Sequence, residues 1–136
     1  MKRAFTSVLL ALCLGLLAAP VRAHHGTNIS YDRTMTKTIT GVVAEFWYKN
    51  PHPALFVDVM EKDGATRWTI EIAPTPYTLA VRGWSKKRAD DALQAGTPVT
   101  VKMYPSRAGT HSGLLQAVTD ERGADILGES GSAIRP

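Results

Sequence analysis

The sequence has almost no cysteine and no long apolar span, and both absences limit what the protein can be. Cys13 is the only cysteine among the 136 residues, and it lies in the apolar segment 8–19 near the amino terminus. That segment is too short to cross a membrane, which takes about 20 apolar residues. If it is removed, the remaining chain can form no disulfide and offers no thiolate to a metal or a substrate.

The motifs that mark common enzyme classes are also missing. The chain has no Gly-x-Ser-x-Gly turn, no phosphate-binding glycine loop, no Cys/His zinc pattern and no haem-attachment motif. Glu45 and Glu71 are strand carboxylates, and nothing in the sequence pairs them for acid/base work. The sequence therefore favours a binding protein over an enzyme.

The amino-terminal segment has the order of a secretory signal peptide. Two basic residues precede the apolar run, Pro20 ends it, and Ala23 supplies the small residue that signal peptidase needs. Because Pro20 disfavours cleavage after Ala19, the mature chain would begin at His24. We therefore predict a signal peptide over residues 1–23 and a periplasmic or secreted protein.

Removal of this segment changes the charge balance. The whole chain has 16 basic and 12 acidic residues, and 3 of the basic ones lie in residues 1–23, which leaves 13 against 12. A formal charge of +1 gives no reason to expect nucleic acid as a partner. The 113 residues that remain are enough for one modest core, so we expect a single domain without a membrane span.

Alternating apolar residues predict a series of short strands. We place them at 36–49, 54–60, 67–73, 97–104, 114–120 and 124–127, with an Asp63-Gly64 hairpin between the second and third. The first has apolar residues on both faces, with Val42, Phe46 and Tyr48 on one side and Ile39, Val43 and Trp47 on the other, as in a long bent barrel strand.

One short helix is expected between the third and fourth strands. Thr75 can cap it, Pro76 suits its first position and Gly83 can end it, with Tyr77, Ala80, Val81 and Trp84 on one apolar face. Residues 85–96 are either a polar loop or a further helical turn.

This order of elements predicts an all-β fold with one short helix, a small five-stranded antiparallel barrel of the OB type over residues 37–127. Another small barrel, or a sandwich with the helix packed at one end, is the alternative. Residues 24–36 are polar and aperiodic and are interpreted as an arm, and residues 128–136 as a flexible tail.

Three stretches resemble a known family: "AHHG", "GVVAEFWYKNPHPALFVDV" and "RWTIEIAPTPYTLAVRGW". They are similar to small secreted bacterial proteins without an established function, which begin Ala-His-His-Ser and carry Asn-Pro-His after the first strand and Arg-Gly-Trp before the fourth. The resemblance covers nearly all of the mature chain, and Gly26 stands where serine is usual. It implies an exported OB-like domain and supplies no reaction.

The predicted mature end offers nitrogen ligands for a metal. The free amine and ring Nδ1 of His24 can chelate one ion, and a second imidazole would complete the three-nitrogen arrangement known as a histidine brace. His25 offers another mode, in which the terminal amine, an amide nitrogen and its own imidazole bind Cu(II), which suits nitrogen ligands. The alternative is that His24 and His25 form an ordinary solvated end.

Two further histidines lie in predicted loops. His52 stands between two prolines in "NPHP", so its backbone should be stiff, and His111 lies in a loop rich in glycine and serine. In an OB fold these two loops border the same face. The arm from His24 to Met35 could span up to roughly 40 Å and could reach either loop. A capping role for His52 and simple exposure for His111 are the alternatives.

The sequence therefore predicts an exported binding protein that holds copper through His24 with His25 or His52. The competing hypothesis is a metal-free module that binds a small ligand or a protein on the barrel face between loops 50–53 and 105–113.

Overall fold

The computed structural model describes residues 30–127, and their strands close into a barrel. The strands are β1 (Lys37–Trp47), β2 (Ala54–Glu61), β3 (Gly64–Glu71), β4 (Pro98–Pro105), β5 (Ser112–Thr119) and β6 (Asp125–Ile126), and the helices are α1 (Pro76–Val81) and α2 (Lys86–Ala92). The sheet order is β3-β2-β1-β4-β5-β6, and a further pairing of β3 with β5 closes the first five strands. The predicted five-stranded OB-like barrel is confirmed.

The pair of strands that closes the barrel departs from the expected antiparallel pattern. β3 and β5 run parallel, with Thr69 opposite Ser112 and Glu71 opposite Leu114. The other strand pairs are antiparallel. Because β5 lies between β4 and β3, the β4–β5 loop is brought against the carboxyl end of β3.

A β-bulge in β1 explains why this strand is apolar on both faces. Its register against β2 shifts between Val43 and Glu45. Before the bulge Ile39 and Val43 are buried, and after it Phe46 packs against the core while Trp47 is 39% exposed. The predicted division into two continuous faces was wrong, because an extra residue in one strand moves later side chains to the opposite face.

The helices occupy the connection between β3 and β4. Thr75 caps α1 by accepting a hydrogen bond from the Thr78 amide, and Gly83 follows the helix with a φ of 86°. The predicted boundaries are confirmed, and residues 85–96 supply the second helix, α2.

The predicted apolar face of α1 was mostly wrong. Tyr77 is 79% exposed and Val81 is 70% exposed, whereas Leu79 is fully buried and Trp84 nearly so. A helix of 6 residues has fewer than two turns and carries little periodic signal, so its buried side was decided by packing against the barrel core.

The core fills the barrel with aliphatic side chains. Leu55, Val57 and Ile70 from β2 and β3 are fully buried, as are Val101 and Met103 from β4. Because alternate residues of a strand face opposite sides, the residues between them form the outer surface of the sheet. No polar or charged residue within residues 30–127 is fully buried.

The predicted signal peptide, His24, His25 and the tail 128–136 lie outside the described residues. Among the residues that are described, no helix has the length and apolar character of a membrane span.

Candidate functional site

Both histidine-bearing loops meet β3 near its carboxyl end. The Thr69 amide donates a hydrogen bond to the carbonyl oxygen of His111 at 3.0 Å, and the Ile72 amide donates one to the carbonyl oxygen of Pro53, also at 3.0 Å. The β1–β2 loop, residues 48–53, and the β4–β5 loop, residues 106–111, therefore contact the same four residues of chain, 69–72. The expected neighbourhood of the two loops agrees with these contacts.

His52 lies in a turn that its prolines shape. The Asn50–Pro51 peptide bond is cis. The His52 side chain is partly buried, and its Nδ1 atom is enclosed without a hydrogen-bond partner. Nε2 is therefore the ring nitrogen that can bind a metal ion or another group from outside the loop.

The ring of His111 packs against the side of the barrel. Its ring packs edge-on against Trp68, with ring centroids 5.0 Å apart. The ammonium of Lys37 lies 4.5 Å from the centroid of the same indole. The His111 side chain is exposed, which agrees with the alternative of a simple exposed loop histidine.

The arm is fixed to the β4–β5 loop by main-chain hydrogen bonds. The Asp32 amide donates to the carbonyl oxygen of Pro105 at 2.8 Å, and the Arg107 amide donates to that of Ser30 at 2.9 Å. Tyr31 forms an isolated antiparallel bridge with Ser106 between them. The arm is thus docked from the first described residue onward.

Side chains add to this docking. The guanidinium of Arg107 donates to the carbonyl oxygen of Tyr31 at 3.2 Å and lies 3.6 Å from the Asp32 carboxylate. Asp32 also accepts hydrogen bonds from Thr34, and these bonds hold the pKa of its carboxyl below the usual range. Charged side chains therefore help to hold the arm against the β4–β5 loop.

Tyr31 reaches from the arm to β3. Its hydroxyl donates a hydrogen bond to Oε2 of Glu71 at 2.8 Å. Burial, together with that carboxylate, raises the pKa of the Tyr31 hydroxyl, so it stays a donor across the physiological range. The same short stretch of β3 that receives both loops therefore also receives the arm.

An aromatic pair lies on the outer face of β1 and β2. The rings of Trp47 and Phe56 pack edge to face with centroids 4.7 Å apart. The ammonium of Lys49 lies 4.2 Å from the Trp47 centroid, and the indole N–H donates to Glu45. Trp47 is 39% exposed beside these neighbours.

The described residues do not complete a metal site by themselves. No group of three or more His, Cys, Asp or Glu side chains within residues 30–127 is placed to hold a metal ion. Of the predicted ligands, His52 lies at the meeting point described above, whereas His24 and His25 lie outside the described residues. A metal held here would need ligands from the segment that precedes Ser30.

Sequence reasoning missed the residues that dock the arm. Tyr31 and Asp32 fall in the predicted arm and Arg107 in a predicted loop, while Glu71 is predicted only as an outward strand carboxylate. A tyrosine and a carboxylate 40 positions apart give no local signal of their contact. The one available hint was the alternation of β3, which places Glu71 on the outer face.

The chain matches one protein family over most of its length. The family of unknown function DUF6152 matches residues 12–116. The chain belongs to this family. No curated protein matches the chain significantly.

Two crystal forms of the mitochondrial single-stranded DNA-binding protein Rim1 from S. cerevisiae are similar in structure. One has 16% identity and a TM-score of 0.44, covering 64% of this chain and 93% of its own. The other has 12% identity and a TM-score of 0.46, covering 68% of this chain and 98% of its own.

Proposed function

We propose that the protein is an exported OB-like binding protein that holds one copper ion through its mature amino terminus. The ligands are the terminal amine and Nδ1 of His24, completed by an imidazole from His25 or His52. The sequence pattern of residues 1–23 supports export and a chain that begins at His24. Amine and imidazole nitrogens suit Cu(II) and its preference for square-planar coordination.

The observation that carries this proposal is the contact of the arm with the carboxyl end of β3, which pairs with the start of β2 directly after the β1–β2 loop. Tyr31 contacts Glu71, and Glu71 pairs with Ala54, two residues after His52. Six residues of extended chain span roughly 20 Å at most, which is the upper limit for the distance of His24 from Ser30. Because the arm is attached at Ser30–Asp32, a terminal ligand would sample a smaller volume around this end of the barrel than it would on a free arm.

The chemistry of the described residues fits such a role. Two flanking prolines restrict the backbone of His52, which reduces the conformational freedom lost when it binds. Its enclosed Nδ1 leaves Nε2 for the ion.

The decisive experiment compares two forms of the exported protein. The intact mass reports the mature end, and titration with Cu(II) at pH 7.5 gives stoichiometry and affinity. Acetylation of the terminal amine should weaken binding strongly, because it removes one of the nitrogens and leaves the barrel intact. Equal affinities of native and acetylated protein, or a mature chain that begins elsewhere, would remove the proposed site.

One observation favours a second candidate, a metal-free module that binds a small ligand or a protein. Val42 and Trp47 on the outward side of β1 are 42% and 39% exposed. Trp47 packs with Phe56 on this face, and aromatic residues are enriched at protein contact surfaces. A Trp47→Ala variant that binds copper normally but loses a physiological partner would favour this candidate.

A further inference from the structure

We infer that the outer side of α1 and the adjoining part of α2 form a contact surface for an anionic lipid membrane. Four residues make up this surface, which is called the helical patch below: Tyr77, Val81, Arg82 and Arg88. The two apolar side chains enter the headgroup region, and the two guanidinium groups pair with lipid phosphates. The inference is independent of the proposed copper site.

Tyr77 and Val81 are an apolar pair that stays exposed. They are four positions apart on α1, so their side chains lie on the same side of the helix. Tyr77 is 79% exposed, Val81 is 70% exposed, and Ala80 beside them is also exposed. The one buried residue of α1 is Leu79, on the side that packs on the barrel. The outer side of this helix is therefore apolar without contributing to the core.

Two arginines border the apolar pair. Arg82 follows Val81 directly as the C-cap residue of α1. Arg88 of α2 reaches the end of α1, because its guanidinium donates a hydrogen bond to the carbonyl oxygen of Gly83 at 3.1 Å and lies 4.1 Å from the ring centroid of Trp84. Neither arginine takes part in an ion pair within residues 30–127. Both charges can therefore pair with an anion from outside.

The excess of positive charge in the described part of the chain is concentrated in the same segment. Residues 76–93 contain four basic and two acidic residues, whereas the rest of residues 30–127 contains eight basic and nine acidic ones. The helical segment thus has a net charge of +2 and the barrel has one of −1. An anionic surface is attracted to the helices and not to the barrel wall.

The backbone beneath the helical patch is fixed to the barrel. Leu79 of α1 and Ala89 of α2 are fully buried in the core. The hydroxyl of Tyr48 lies 2.7 Å from the carbonyl oxygen of Pro76 and 2.8 Å from that of Trp84. Because both helices are already held in place, contact with a surface costs little backbone conformational entropy.

A membrane suits the helical patch better than a protein partner does. A stable protein interface buries about 800 Å² on each partner, which is much more than two apolar side chains provide. A lipid surface needs no complementary shape, since aromatic rings settle at the level of the headgroups and arginine binds phosphate oxygens. The combination of exposed apolar side chains with unpaired cations is typical of interfacial membrane contact.

Sedimentation with lipid vesicles tests the inference on the protein purified after export. The protein should sediment with vesicles of phosphatidylglycerol and phosphatidylcholine and should stay in solution with vesicles of phosphatidylcholine alone. Binding should weaken as the salt concentration rises from about 0.05 M to about 0.5 M, because salt screens the attraction between exposed charges.

Substitutions separate the charged from the apolar contribution. Arg82→Gln and Arg88→Gln should each lower the binding constant for the anionic vesicles about fivefold. Tyr77→Ser combined with Val81→Ser should lower it about tenfold, because both side chains then stay in water. Thermal unfolding checks that each variant is folded.

The matched controls alter equally exposed side chains outside the helices. Met60→Ser changes a methionine of β2 that is 78% exposed, and Arg122→Gln changes an arginine whose side chain is 91% exposed. Both variants should bind the anionic vesicles as the wild type does.

Three outcomes would overturn the inference. In the first, the wild-type protein stays in solution with the anionic vesicles. In the second, the variants of the helical patch bind as tightly as the wild type, so that the lipid contacts another part of the protein. In the third, beads coated with polyglutamate retain the wild type but not Arg82→Gln while the vesicles bind neither, which would assign the helical patch to an acidic protein partner.

Discussion

Gly41 of β1 lies directly against the main-chain carbonyl of Asp58 in β2. A Cβ atom built on Gly41 would overlap that oxygen and would press on a methyl group of Val57. The two strands approach this closely two residues before the register shift that separates Val43 from Glu45. The close approach and the bulge together bend β1 around the barrel.

Gly41→Ala should therefore destabilise the protein markedly. A backbone oxygen cannot turn aside as a flexible side chain can, so the pairing of β1 with β2 must shift, at a cost of about 1–3 kcal/mol or more. Guanidinium unfolding measures the loss. Thr38→Ala, an exposed position on the same strand, is the control and should change stability little. A Gly41→Ala protein as stable as wild type would contradict the close approach.

Tyr48 ties the β1–β2 loop to the helical end of the barrel. Its hydroxyl lies 2.7 Å from the carbonyl oxygen of Pro76 and 2.8 Å from that of Trp84, and one proton serves both acceptors. Tyr48→Phe should lower the free energy of unfolding by about 1–2 kcal/mol, because both carbonyls lose a partner. Tyr77→Phe alters an exposed ring and should stay within about 0.5 kcal/mol of wild type. An equal decrease of the free energy of unfolding in both variants would show that the Tyr48 hydrogen bond makes no net contribution to stability.

The ion pair between Asp58 and Arg67 makes part of the protein's stability dependent on pH in the acid range. The guanidinium donates two hydrogen bonds, of 2.8 and 2.9 Å, to the carboxylate and holds the pKa of Asp58 below its usual range. A lowered pKa adds stability above the unfolded value of about 3.9, and this stability is lost as pH falls through the folded value. Asp58→Asn should therefore flatten the decline of stability below about pH 4. Asp63→Asn, in the exposed β2–β3 turn, is the control, and an identical effect in both variants would contradict the assignment.

The copper proposal distinguishes the two loop histidines. His52→Ala should weaken Cu(II) binding and alter its spectrum, because it removes an imidazole beside the docked arm. His111→Ala should leave both unchanged, since its ring packs on Trp68 next to Lys37. If His52→Ala has no effect and a peptide of residues 24–31 binds as tightly as the protein, the barrel takes no part in the site.

The proposed ligands also predict a pH dependence. Copper must displace protons from a terminal amine, whose pKa is about 7.7–8.0, and from imidazoles near about 6.5. Affinity should fall steeply as the pH drops from about 8 to about 5.5, with protons released on binding. Titrations in two buffers of different ionisation enthalpy count those protons. An affinity that is flat over this range would exclude amine and imidazole ligands.

The strands and their order could be predicted because each rests on a local pattern. β2 and β3 alternate cleanly around Asp63-Gly64, and Thr75, Pro76 and Gly83 mark the ends of α1. The faces of β1 and α1 could not be predicted as well. A bulge leaves no fixed signature in composition, and a helix as short as α1 has its buried side chosen by the barrel it meets.

The candidate site was predictable only in outline. OB topology is enough to bring the loops of His52 and His111 toward one region, and their contacts with Ile72 and Thr69 agree with it. The docking of the arm was not predictable, because Tyr31, Glu71 and Arg107 are distant in sequence and each is ordinary in its local context. Such contacts depend on tertiary structure alone.

The parallel pairing of β3 with β5 also governs the order in which the barrel can form. Thr69 and Ser112 must meet across 43 positions of chain, whereas the β2–β3 hairpin forms from adjacent residues. Closing a long loop costs entropy before its contacts repay it, so closure should come late and limit the folding rate. Until β5 is in place β3 has a free edge, and a chain shortened before Ser112 would expose an open sheet that can pair with other chains. Folding and protection from aggregation thus depend on the same three residue pairs.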